Sequence, residues 1–231
     1  MTPLNGMTSA SIALRYWEHR QEVTANNLAN VSTDGFKSER TFAQLLNGAP
    51  VITSHIDRSL GNMRTTGART DVALGTDSFL VLQTDRGERW SRGGALHVDP
   101  QGHLADQNGN KVLGKKGAIK VGDEPFAISK HGVVTIGDQV VDEMRVETAG
   151  NGRTLEHEGN SLLTPPDERT VVALDARDVR QGVVEESNVD ALGSMVDMLG
   201  VQRAYAAVEK SISVLDHVRE TATSQLGKPV A

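Results

Sequence analysis

Apolar residues recur at helical spacing at both ends of this chain, and the β-type patterning lies between them. From Met7 to Leu28 a seam runs Met7, Ala10, Leu14, Trp17, Gln21, Thr24 and Leu28, widened by Ala13, Tyr16, Arg20 and Val23. Such a helix would be roughly 33 Å long. Periodicity alone does not distinguish a coiled-coil seam from an amphipathic helix docked on its own domain. The pattern from Ser187 to Ser224 is more demanding. One stripe is Val189, Leu192, Val196, Leu199 and Ala206; a second is Met198, Val201, Tyr205, Val208, Ile212 and Leu215. A helix apolar over that much of its circumference must touch more than one neighbour. At about 55 Å it also outruns a small β domain, so part of it should project. Ser187 is the expected N-cap, with Asp190 reaching back in a capping box. Gly193 and Gly200 each weaken the helix by about 1 kcal/mol relative to Ala, and are expected to permit close helix approach.

The N-terminal helix ends in Asn26-Asn27-Leu28-Ala29-Asn30, and the chain turns at Asp34-Gly35 before Phe36-Lys37. Asn47-Gly48-Ala49-Pro50 breaks a short segment, Thr41–Leu46. Phe36, Leu45 and Leu46 are expected to anchor a connector that is extended, with weak strands, as far as residue 70. Beyond it, turn signals recur every eight to twelve residues, as in an all-β sandwich or barrel. Strands are expected at Phe79–Gln83, Glu88–Arg92, Ala95–Val98, His103–Ala105, Lys111–Leu113, Phe126–Ile128, Val133–Ile136, Gln139–Thr148, Ser161–Thr164 and Thr170–Ala173. The fold class is therefore mainly β, with N- and C-terminal α-helices whose apolar faces look built to meet each other. The expected organisation is helix and signature turn over 1–36, connector over 37–70, β-rich domain over 71–180 and C-terminal helix over 181–231.

Composition narrows the function. The hydrophobic share is 38% and the aromatic share 3%, which suits a modest β core and helices completed by partner surfaces. A net charge of −6 with interspersed signs argues against nucleic acid as a partner. The N-terminus has no positive n-region and no apolar h-region, so a Sec-type signal peptide is not expected. Without cysteine there is neither a disulfide nor a thiolate metal site.

Chemical motifs come close and fail. Gly109–Lys116 copies most of a phosphate-binding loop, but Lys116 stands where Ser or Thr would hold magnesium. Asp106–Asn110 starts like a calcium loop, with Lys111 where glycine is needed and Gly117 where the bidentate glutamate belongs; an Asx-rich hairpin turn explains it better. None of the seven histidines pairs at zinc-type spacing, although His97 and His103 flank one turn. No catalytic constellation, cofactor site, metal site or small-molecule substrate is expected. A carbohydrate-binding β module would need an aromatic platform that two Trp and two Tyr supply poorly. A hydrolase with a dispersed site finds no support in the scattered carboxylates.

Asn27-Leu28-Ala29-Asn30 with Thr33, Gly35, Phe36 and Lys37 resembles the signature of bacterial flagellar basal-body rod proteins. Ser187-Asn188-Val189-Asp190, Met195–Met198 and Gln202–Tyr205 resemble that family's closing helix. Asp71–Gly75, Phe79, Arg92, Gly94, Gly102–Leu104 and Gly109–Gly114 follow its middle pattern, with Ser78 and Gly93 as departures at turns. The resemblance implies a non-enzymatic axial subunit of the basal-body rod, crossing the periplasm, with terminal helices paired as a coiled coil at the inner wall. It implies helical self-assembly, other rod subunits as partners and delivery by the flagellar type III export apparatus; the chain's short length favours a proximal over a distal position, and a hook-like axial protein is the alternative. The expected assembly interface is Leu14, Trp17, Asn27, Leu28, Asn30, Gly35, Phe36, Val189, Leu192, Val196, Leu199, Tyr205, Val208, Ile212 and Leu215.

Overall fold

The computed structural model describes residues 6–46, 49–150, 155–159 and 161–226. Two units emerge. One gathers the chain ends and residues 39–54; the other comprises residues 29–38 and 55–189.

In the first unit, helix α1 spans Gly6–Ala29 and helix α2 spans Ala191–Leu226. They run antiparallel and touch. Gly6 lies beside Leu215, Leu14 shares a groove with Ile212, and Arg20 Nη2 sits 3.7 Å from Asp197 Oδ2. On α1, Arg20 also lies over the Trp17 ring at 5.6 Å, and Tyr16 meets Trp17 edge-on at 5.0 Å. The expected extended connector contains two eight-residue strands, Glu39–Leu46 and Ala49–Ile56, paired as a ribbon. His19 Nε2 on α1 lies 2.7 Å from Ser54 Oγ on that ribbon. Leu45 is not an anchor, because it is 75% exposed. The side chain of Leu46, and the expected turn residues Asn47 and Gly48, lie outside the described residues.

Among the described residues, the strands of the second unit pair antiparallel. Its organising strand is Phe79–Thr84, whose run Phe79-Leu80-Val81-Leu82 is buried on both faces. Side chains alternate across a strand. Leu80 and Leu82 join Val72, Leu74, Leu104, Ile119, Val134 and Met144 in one core; Phe79 and Val81 join Trp90, Leu155 and Leu163 in another. A strand buried on both sides needs such a continuous apolar run. It pairs with Gly87–Ser91 across a two-residue turn, and also with Lys111–Val112 and Val146–Thr148. Phe79 stacks on Trp90 at 4.8 Å, and Trp90 Nε1 donates to Glu147 Oε2 at 2.8 Å.

A three-stranded meander over Phe126–Ile128, Val133–Ile136 and Gln139–Glu143 follows the expected positions closely. The expected single strand Gln139–Thr148 divides at Met144-Arg145, and its halves enter different sheets. Met144 turns into the core, its N–H bonded to Gly132 O, while Arg145 turns to Glu88 and Glu147. Among the strands not expected individually are Glu156–His157, Asp71–Leu74, Val179–Gln181, and the pair Met63–Thr65 with Val183–Glu185. The last of these lies inside the segment read as C-terminal helix.

Leu80→Ala should cost about 2–5 kcal/mol, the range for truncating a fully buried leucine. Urea unfolding followed through Trp90 fluorescence measures it.

Candidate functional site

The signature turn is built around buried charge. Lys37 and Arg92 both reach Glu185, and all three side chains are at most 2% exposed. Lys37 Nζ lies 2.6 Å from Glu185 Oε1, and Arg92 Nη2 lies 2.7 Å from Oε2. The remaining hydrogen bonds are filled from the backbone. Lys37 Nζ also donates to Ser59 O, and Gly61 N–H donates to Glu185 Oε1 at 2.8 Å. The Arg92 guanidinium donates to the carbonyls of Leu74, Gly75 and Ser78. Burial, reinforced by the Arg92 charge, pushes the Lys37 ammonium below its ordinary pKa, although Glu185 opposes the shift.

The motif residues hold the chain around this centre. Gly35 N–H donates to Glu185 O at 2.6 Å. Gly35 has φ +71°, and a Cβ there would stand 3.0 Å from Arg92 Cβ, so a side chain would be both strained and crowded. Phe36 is 3% exposed and stacks on the His157 ring at 4.9 Å, while His157 Nε2 bonds Lys37 O at 2.8 Å. Asn30 accepts from the Thr33 hydroxyl at 3.2 Å and Thr33 N–H bonds Asn30 O, which closes the turn after α1.

Two asparagines replace strand partners. In the terminal unit, Asn27 donates to Glu39 O at 2.8 Å and accepts from Glu39 N–H at 2.9 Å. In the β unit, Asn188 Oδ1 accepts from Ser38 N–H at 2.7 Å, and its Nδ2 donates to Asp57 O and Ser59 O. Each amide gives neighbouring backbone both donor and acceptor, as a paired strand would.

The start of α2 departs from expectation. Asp190, and not Ser187, is the N-cap: Gly193 N–H donates to Asp190 Oδ1 at 3.1 Å, and Ser194 N–H to Asp190 O. Ser187 only accepts from Val189 N–H, at 3.3 Å, and Val189 precedes the helix. Gly193 serves the cap, since a Cβ there would lie 2.4 Å from Asp190 Oδ2.

The two stripes of α2 part company. Val201 is fully covered, and Met198, Tyr205, Val208 and Ile212 are half-buried, as are Leu14, Trp17 and Leu28 on α1. The other stripe faces outward. Leu192 is 74% exposed, Met195 50%, Val196 62% and Leu199 56%. Leu215 is 37% exposed, and Val214 and Val218 continue the open apolar surface. Thus Gly35 and Phe36 lie at the anchor, Asn30 in the turn after α1 and Asn27 in the terminal unit; Val189 is half-buried just before α2, whose remaining expected residues divide between a covered stripe and an open one. Glu185 and His157 were missed. Glu185 is 148 residues from Lys37, and sequence carries no signal that pairs groups so far apart.

The Asp106 loop is an Asx turn, with Asn108 and Asn110 N–H both donating to Asp106 Oδ1. Asp99 builds a matching turn with Gln101 and His103; His97 pairs with Ala105, so the two histidines do not face each other.

This architecture agrees with the comparisons. Residues 5–37 match the family model for flagella basal body rod protein, and residues 180–226 match that for the flagellar basal body rod FlgEFG protein C-terminal region. The flagellar basal-body rod protein FlgF of Salmonella typhimurium is 30% identical over 226 residues, covering 86% of this chain and 88% of that protein. The chain belongs to the flagellar basal-body rod protein family. FlgF of Caulobacter vibrioides is 27% identical, covering 90% of this chain and 91% of its own. FlgG of Agrobacterium fabrum is 28% identical, covering 89% and 93%. The protein is a structural subunit of the rod of the flagellar basal body.

Glu185→Gln should destabilise the fold by about 3–5 kcal/mol, because it leaves two buried cations without their carboxylate. Chemical denaturation of the purified chain measures it. Because the folded state lowers the Lys37 pKa, it releases that proton before the unfolded chain does. Stability should therefore rise with pH in the window just below the ordinary lysine value of 10.5. Lys37→Met should lose that rise in denaturation series taken across the window.

Proposed function

We propose that this rod subunit assembles by burying the open stripe of α2 against neighbouring rod subunits and copies of itself. One observation carries the reading: Leu192, Met195, Val196 and Leu199 form a contiguous exposed apolar strip beside a stripe already turned inward. Surface of that kind marks an interaction site. A heterologous contact that does not close into a ring propagates a helical filament. In the assembled rod, α1 and α2 would tighten into a coiled coil, and the expected segments 1–36 and 181–231 would act as one assembly element.

Marginal order before assembly follows from the same surface. From residue 213 to 224 the side chains of α2 are all exposed, and a helix with so little tertiary cover is weakly stable in water. Its ordering would be completed by the interface, which keeps the free chain suited to passage through the flagellar type III export apparatus. The FlgF-named relatives from three genera support a proximal position in the rod and a course across the periplasm. The role is mechanical, with force carried by many small interfaces and no chemical step.

Leu192→Asp combined with Leu199→Asp should leave thermal stability nearly unchanged, within about 0.5 kcal/mol per site, yet abolish swimming in soft agar. Normal motility would sink the reading. Hydrogen exchange should be fast along residues 207–226 of the free chain; strong protection there would contradict ordering on assembly.

A further inference from the structure

Beside the edge strand Thr170–Val171, the β unit has a pocket of about 420 Å³ that assembly through the helices does not use. Arg177 lines it. This residue is 8% exposed, and its hydrogen bonds go to backbone carbonyls alone: Nε to Val172 O at 2.9 Å, and Nη1 to Met144 O at 2.9 Å and His131 O at 3.5 Å. No carboxylate among the described residues forms an ion pair with it, and Nη2 donates to none of them. Four other guanidinium groups of this unit do meet carboxylates. Arg92 meets Glu185, Arg145 meets Glu88 and Glu147, Arg89 meets Glu158, and Arg169 meets Glu88.

An unmatched buried cation is costly, and a carboxylate held by a planar guanidinium is a strong charge-assisted pair. The pocket wall has further features of a binding site. Lys115 is exposed on the rim, and Arg145 lines it with its charge already met. Glu143 is the one acidic group in the lining. Val171 and Leu174, 55% and 41% exposed, form an apolar lip. Burial pushes the Arg177 pKa down, and the Glu143 charge only partly opposes this.

We infer that this pocket is a carboxylate-binding site that receives an acidic side chain flanked by apolar residues, on an extended segment of a neighbouring protein subunit. The acid would meet Arg177 and Lys115, and its flanks would rest on Val171 and Leu174.

The test uses the full chain, labelled so that the Arg177 Nε–H signal is followed by NMR. The probe is acetyl-Val-Glu-Val-amide, titrated beside its Gln counterpart, the peptide acetyl-Val-Ala-Val with a free terminal carboxylate, and inorganic phosphate. The expected result is a saturable Arg177 shift with the Glu peptide and little with the Gln peptide. Lys115→Glu should weaken that binding roughly fivefold and Glu143→Gln should strengthen it by a similar factor, the scale of one partly exposed charge. Neither substitution removes the carbonyl bonds of Arg177, so both variants should fold. No shift, an equal shift with the Gln peptide, an equal shift with phosphate, or a shift confined to the free-terminus peptide would each overturn the inference.

Discussion

The Glu185 carboxylate, shared between Lys37 and Arg92, is the interaction on which the rest depends. It joins the turn after α1 to the strand that leads toward α2, across 148 residues of intervening chain. Buried ion pairs are weak evidence for stability in general, because desolvation offsets the attraction. Here the surrounding carbonyls and the Gly61 N–H satisfy the remaining donors and acceptor, so the arrangement fixes geometry more than it adds energy. Gly35 lets the turn approach Arg92, and Asn188 holds the Ser38 backbone from the opposite side.

The contrast between the two units has a thermodynamic meaning. The β unit buries a strand on both faces between two apolar clusters. The terminal unit leaves one stripe of its long helix open, and its Arg20–Asp197 pair between α1 and α2 is half-exposed and of little energetic weight. Stability is thus concentrated in one part of the chain, and open apolar surface in the other.

Much of this was legible in the sequence, for identifiable reasons. Helical periodicity placed both helices within a few residues, and the double stripe on α2 stated that this helix needs more than one neighbour. The continuous run Phe79–Leu82 marked the central strand. Short strands such as Met63–Thr65 and Val183–Glu185 were not visible, because their pairing is set by each other over more than a hundred residues and not by local pattern. The cap was misplaced for a related reason. Ser187 and Asp190 are both good caps, and Asn188 decides between them by tying the chain to Ser38, Asp57 and Ser59 until Asp190. Leu45 looked like an anchor only because ribbon strands and buried strands share the same local composition.

Within the β unit, the segment that follows α1 lies beside the segment that precedes α2, with Gly35 bonded to Glu185 and Ser38 bonded to Asn188. A polypeptide that leaves and returns through one doorway can be lengthened, shortened or exchanged beyond it without re-routing either tail. Loops beyond that doorway can therefore vary in length without moving either tail, provided that Arg92 still reaches Glu185.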